Sequence, residues 1–285
     1  MNLEQVIKET GLRMLPIPLF EGMLAGYGGV KCRATTATRS RTVRRVSRHL
    51  GMAENTAERR RLVRELHRNA ERWSVLPSWN HGFDRYWRRY VPGETVGEDH
   101  LQEATDRGKG IIFLSSHIGA WRALPWCLAD RGFALDIAYP IQWPYNRTKG
   151  ASALSFIRQA MKVLGSGGNV GIMGDGHQGK NHTFDFLGQK IPFATGFAQI
   201  AQRTLSPVLP LFLVRCRDGL LRLEMGPVIS ADQFPGDRET VSIAMTTRFL
   251  ARMEEMIRKY PCNAPAYLVG SRLMRGQKRG QRVEP

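Results

Sequence analysis

No stretch of the chain reaches the ~18–20 uninterrupted apolar residues that a membrane-spanning helix needs. The nearest, Met14 to Val30, is broken by Pro16, Pro18, Glu21 and four glycines. It reads either as a helix lying in a membrane interface or as a segment packed on the core. No signal-peptide pattern is expected at the start. Cysteine is scarce: Cys32, Cys127, Cys216 and Cys262 are widely spaced and form no CxxC pair. They read as free thiols in a reducing compartment, not as a disulfide framework. There is no phosphate-cradling GxxxxGKS and no Gly-x-Ser-x-Gly elbow. Internal repeats and low-complexity tracts are absent. Acid is also short, with 25 Asp+Glu against 42 Lys+Arg and a net charge of +17.

What is present is enough for a large core, since 42% of the 285 residues are hydrophobic. The charge is uneven. From Lys31 to Arg72 there are thirteen Lys/Arg against four Glu, a net of +9. From Arg272 to Pro285 five basic residues face one acid. Such fields attract nucleic acid, anionic lipid surfaces or acidic carrier proteins, unless they are simply solvated helix faces. Residues 2–12, 39–50 and 54–73 read as helices. In the last, Leu62, Leu66, Ala70 and Trp73 recur at helical spacing with arginines on the other faces. An aromatic-rich stretch over 76–92 reads as core. After a short helix at 100–106, strands (110–115, 133–138, 170–174, 208–214, 221–225) alternate with helices (120–130, 151–164, 196–203, 240–259). This predicts an α/β fold with a mainly parallel central sheet flanked by helices and a basic helical N-terminal region. The expected divisions are 1–95, basic and helical; 96–270, the α/β core; and 271–285, a basic tail that frays.

Chemistry gathers at two strand ends. Gly110-Ile-Ile-Phe-Leu-Ser-Ser-His117-Ile-Gly-Ala-Trp-Arg122 puts an imidazole after a strand and before a helix start, the usual place for a site in an α/β sheet. Backbone N–H groups near Gly119 would hold a developing oxyanion, aided by the helix dipole, while His117 takes a proton from an attacking hydroxyl. Gly174-Asp175-Gly176 follows another strand, so Asp175 lies on the same sheet edge. There it would fix the tautomer of His117 and steady its imidazolium. The flanking glycines suit a tight turn and close approach of a ligand, with Gly176 as a binding position. A rival reading takes Asp175, His177, His182 and Asp185 as metal ligands of a phosphoesterase or nuclease. Another takes the chain as a non-catalytic nucleic-acid-binding protein, which no helix-turn-helix or ribonucleoprotein pattern supports.

The His117 block resembles the active-site signature of the bacterial lipid A biosynthesis acyltransferases, within the wider glycerolipid acyltransferase group. His117, Gly119 and Trp121 match; Arg122 stands where the family has an acid. The resemblance implies that an acid from the later loop, Asp175, partners the histidine, and Phe186-Leu187-Gly188 fits the Phe-x-Gly that follows. Leu154-Ser155-Phe156-Ile157-Arg158 is similar to the group's Phe-Ile-x-Arg block, whose arginine contacts an acceptor phosphate. Gln189 to Gly196, with Ala198 and Ala201, resembles the segment behind the acyl pocket. Pro207-Val-Leu-Pro210 resembles the last block, a strand start near the site. Across Val96 to Gly226 the resemblance implies transfer of a fatty acyl chain from an acyl carrier protein or coenzyme A thioester to a hydroxyl or amine of a glycolipid or lysolipid. The implied location is peripheral, at the cytoplasmic face of the bacterial inner membrane. Catalytic roles fall to His117 and Asp175, and substrate binding to Gly119, Arg122, Arg158 and Gly176. No metal and no cofactor beyond the acyl donor is expected.

Overall fold

Strands buried on both faces set the architecture. In the computed structural model, which describes residues 15–34, 57, 61–69, 94–139, 153–176, 181–216 and 220–265, Ile112–Ser115 and Val170–Met173 are buried at every position. A run of this kind belongs in the middle of a sheet covered by helices. The chain divides into two compact units, Met1–Phe83 with Tyr260–Pro285, and Asp84–Lys259.

The second unit is an α/β sandwich. Its elements run β1 (Glu94–Val96), α2 (Glu98–Asp106), β2 (Ile112–Ser115), a 3-10 turn (Trp121–Ala123), α3 (Leu124–Ala129), β3 (Ile137–Tyr139), α4 (Ala153–Gly165) and β4 (Val170–Met173). They continue with β5 (Asn181–Phe186), β6 (Gln189–Ala194), α5 (Gly196–Thr204), β7 (Val208–Arg215), β8 (Leu221–Met225) and α6 (Arg238–Lys259). The six-stranded sheet has the order β1-β8-β7-β2-β4-β3. Every neighbouring pair is parallel except β7–β8. The mainly parallel sheet expected from the alternation is therefore present.

Three strands escaped the sequence reading. β1 adds a short parallel edge strand beside β8. More important, β5 and β6 form an antiparallel hairpin in a stretch where no strand was expected. Its alternation is plain once seen: Phe184 and Phe186 are buried while Thr183 and Asp185 are exposed, and Ile191 and Phe193 are buried opposite them. The turn Leu187-Gly188 has positive φ at both residues, 50° and 67°, the twist that two-residue hairpins require. Leucine is a costly residue there. The Glu254 carboxylate of α6 accepts the Leu187 N–H and holds it. The expected helix over 120–130 is also shorter than predicted, a 3-10 turn followed by the six-residue α3.

α6 covers the sheet with a buried stripe of Val241, Met245, Phe249, Met253 and Ile257. Phe249 stacks on Phe212 of β7 at 6.2 Å and meets Phe197 of α5 edge-on at 5.8 Å. A second tie is ionic. Glu224 of β8, buried, lies 2.9 Å from the Lys259 ammonium and 3.6 Å from the Arg252 guanidinium.

In the first unit, α1 (Ile17–Ala34) takes up the glycine-broken stretch. Phe20, Leu24 and Gly28, spaced by four, are buried on one face. A Cβ on Gly28 would lie 2.8 Å from the His67 carbonyl oxygen. Glycine is thus required where α1 crosses a helical stretch over 61–69, whose Leu62, Val63 and Leu66 are buried. That stretch is the described part of the helix expected over 54–73. The helices expected at 2–12 and 39–50, the aromatic stretch over 76–92 and the basic tail lie outside the described residues. Among the described residues no helix is long and apolar enough to cross a membrane.

Candidate active site

Strand register brings the two chemical segments together. Ser115 of β2 pairs with Met173 of β4, and the Gly174 N–H donates to the Ser115 carbonyl at 2.7 Å. His117 and Asp175 each lie two residues past that pair. The His117 backbone N–H donates to Asp175 Oδ2 at 2.9 Å, and His117 Nδ1 lies 2.9 Å from Asp175 Oδ1. One carboxylate thus grips both the backbone and the ring of the histidine. An ionised carboxylate only accepts, so the ring proton belongs on Nδ1 and Nε2 keeps its lone pair. The Asp175 side chain is fully buried, whereas that of His117 is 35% exposed. Of the two side chains only the imidazole is partly exposed.

The ring is steadied from its other side. Trp121 meets His117 edge-on, with centroids 4.6 Å apart. The Arg122 guanidinium lies over the Trp121 ring at 4.4 Å, a cation–π contact. Arg122, in the place of an acid, therefore stacks behind the tryptophan and leaves the carboxylate's task to Asp175.

The loop supplies donors without a long helix. Gly119 has φ 59°, the left-handed region that favours glycine. The His117 N–H is spent on Asp175, and the Ala120 N–H donates to the Leu213 carbonyl at 2.7 Å. Between them, the N–H groups of Ile118 and Gly119 have no acceptor among the described residues. Because α3 begins only at Leu124, two loop amides, and not the first turn of a long helix, follow the histidine. This corrects the sequence expectation, in which the helix started beside the histidine.

Gly174 has a packing reason beside the one expected. Neither Gly174 nor Gly176 has positive φ. A Cβ on Gly174 would sit 2.5 Å from the Phe249 ring and 2.9 Å from Leu114. Packing demands Gly174, and Phe249 forms the floor under the Asp175 turn. The Gly176 carbonyl accepts the Ala194 N–H at 3.3 Å, which fastens the turn to the hairpin.

The rival ligand set does not converge. Asp175 is engaged by His117. His182 Nε2 lies 3.6 Å from Glu239, and Asp185 accepts from Lys190 at 2.7 Å. His182 and Asp185 are three apart on β5, so they project to opposite faces. His177 lies outside the described residues. Among the described residues no three His, Cys, Asp or Glu side chains form a group able to hold a metal ion.

A sequence profile of the bacterial lipid A biosynthesis acyltransferases matches residues 5–263. The chain belongs to that family. It is an acyltransferase of lipid A biosynthesis, and the phosphoesterase and nucleic-acid readings fall away. No curated protein matches the chain well enough to be counted a relative.

In this acyltransferase the family blocks sit at unequal distances from His117. Arg158 is exposed on α4, and no hydrogen bond or ion pair ties it to His117 or Asp175. Pro207–Pro210 does not start near the site. Val208 pairs with Ile112, and the Pro207 carbonyl accepts the Ile112 N–H at 3.0 Å, so β7 begins at the opposite sheet edge. It is the far end of β7, at Leu213, that touches the His117 loop. Sequence reasoning gave no role to Ser115 and Ser116. Both are buried beside His117, and their hydroxyls have no hydrogen-bond partner among the described residues. No local motif signals this, because their burial follows from strand register.

Proposed function

We propose that this acyltransferase moves a fatty acyl chain from an acyl carrier protein or coenzyme A thioester to a hydroxyl or amine of a glycolipid or lysolipid, working peripherally at the cytoplasmic face of the bacterial inner membrane. The observation that carries the reading is the two-point grip of Asp175 on His117. It fixes the tautomer in which Nε2 carries the lone pair of a base. Nε2 takes the proton of the acceptor hydroxyl as its oxygen attacks the thioester carbonyl. A C–O bond forms, and the carbonyl oxygen becomes an anion received by the Ile118 and Gly119 N–H groups. The intermediate collapses, the C–S bond breaks, and the leaving thiolate takes the proton from His117. Asp175 stabilises the imidazolium between these steps. No acyl-enzyme forms.

The remaining assignments are binding roles. Arg122, held over Trp121, offers guanidinium N–H groups to an anionic part of a substrate, as does Arg158 from α4. Gly176 keeps the turn beside the base free of a side chain. The membrane location draws support from α1, where Leu19 and Val30 are 63% and 64% exposed beside the buried face. It also draws on the charge of +17.

The test is transfer from an acyl thioester to a lysolipid by the purified protein. His117→Ala should abolish it. Asp175→Asn should lose most of it, on the order of 10⁴-fold by analogy with the orienting aspartate of hydrolytic triads. Full activity in His117→Ala ends the proposal. Loss confined to Arg122 variants would mean that the partner of His117 is misassigned.

A further inference from the structure

One face of the central sheet holds a small void beside the His117 loop. Side chains alternate along β2, so Phe113 and Ser115 share a face and Leu114 takes the other. Register carries the first face across to β4, where Gly171 pairs with Phe113 and Met173 with Ser115. Leu124 and Leu128 of α3, both buried, cover it. Between strands and helix these residues line a cavity of about 20 Å³. That is room for roughly one water- or methyl-sized group, far short of an alkyl tail.

The lining is apolar with a single exception. Among the side chains around the cavity, only Ser115 carries an oxygen or nitrogen atom. Ser115 is 4% exposed, and its hydroxyl has no hydrogen-bond partner among the described residues. A buried hydroxyl left unpaired costs free energy and needs a reason. A trapped water is a poor one, because a water needs two to four polar partners and this cavity offers one hydroxyl. A hydroxyl carried on a substrate chain needs only one partner, since its carbon is already held by the rest of the chain. Serine donates and accepts, and so does an alcohol. Ser115 stands two residues before His117, so their Cα atoms are roughly 7 Å apart at most. The matching hydroxyl therefore lies close to the reacting carbonyl and not at the chain's end.

We propose that the Ser115 cavity receives a hydroxyl substituent of the transferred acyl chain, near its thioester, so that 3-hydroxyacyl donors are selected over unsubstituted ones; this rests on the acyl-transfer reading above. Ser115 hydrogen-bonds the substituent and leaves bond making to His117. Gly171 keeps the space free. A Cβ there would project onto the same face and lie 2.8 Å from the Leu135 side chain.

The test sets decanoyl-coenzyme A against 3-hydroxydecanoyl-coenzyme A, in calorimetric binding to the full chain and in competitive transfer to a lysolipid. The parent protein should favour the hydroxy chain by about tenfold. Ser115→Ala should bring that ratio close to one. Gly171→Ala fills the cavity, keeps the serine, and should do the same, with the half-buried Leu135 side chain yielding to the added methyl. A ratio taken within one protein is not moved by a general loss of fold or rate. Equal handling of both thioesters by the parent would mean an empty void or a trapped water; it overturns the cavity assignment while acyl transfer stands. A preference that survives in both variants also overturns it, as does binding of neither thioester. Selective binding lost in the variants, without transfer of either chain by the parent, would keep the hydroxyacyl site and sink the acyl-transfer reading.

Discussion

At the scale of single residues, Asp175 does two jobs with one carboxylate, and its amide cannot do both. In Asp175→Asn an amide N–H₂ facing His117 Nδ1 would make that nitrogen the acceptor and put the ring proton on Nε2. The base becomes an acid. The variant should therefore fold, and NMR of the imidazole nitrogens should report the exchanged tautomer alongside the lost activity. Cys127 gives a second prediction. Burial pushes its thiol up to about 12, against a smaller lowering by Arg131. Thiolate is the reactive form, so Cys127 should stay unlabelled by a thiol reagent at pH 8 while the chain is native and react once it unfolds. Because the folded pKa is raised, this group's stabilisation is complete below its ordinary value near 9 and is lost as pH rises from there to about 12. Chemical denaturation over that range should show the decline, and Cys127→Ala should flatten it.

At the scale of elements, the site depends on pieces that brace one another. Glu254→Ala leaves the Leu187 N–H without its acceptor and should cost about 1–3 kcal/mol, seen in urea denaturation and in faster hydrogen exchange at the hairpin turn. Gly174→Ala drives a methyl into Phe249 and should cost about 1–3 kcal/mol by overpacking. Trimming Phe249 to Leu should relieve part of that cost in a double-mutant cycle. The same elements show what a sequence reveals. β2, β4 and β7 were legible because parallel strands buried on both faces read as unbroken apolar runs. The hairpin was not, because His182 and Asp185 fit a ligand pattern that overlies the alternation of Phe184, Phe186, Ile191 and Phe193. The length of α3 was also hidden, since Leu124-Pro-Trp-Cys-Leu-Ala continues the apolar pattern from Trp121 without a cap to mark its start. Of the site, His117 and Asp175 could be named from strand ends alone. Their pairing was expected from the shared sheet edge, but the second bond, from the His117 backbone N–H, was not, because it depends on the register of Ser115 against Met173. The spent N–H groups, the buried serines and the cavity at Ser115 all follow from tertiary placement.

At the scale of the whole molecule, a charge of +17 sets how the chain meets its surroundings. Sedimentation with vesicles should show binding to anionic phospholipid, little to neutral lipid, and a fall as salt rises past physiological strength, where the Debye length is about 8 Å. Leu19→Asp with Val30→Asp on α1 should weaken vesicle binding with little loss of fold, since both side chains are exposed. Binding unaffected by both salt and these changes would remove the case for a membrane surface. The contact between Gly174 and Phe249 has a consequence for descent. The two positions are 75 apart in sequence, yet neither can change freely while the other stands. A lineage that acquires a side chain at 174 is spared the overpacking cost when a smaller one already stands at 249, and it then passes through an ancestor with a void beneath Asp175. That order of the two steps is the less costly one, and related chains should record it as a paired difference at the two positions.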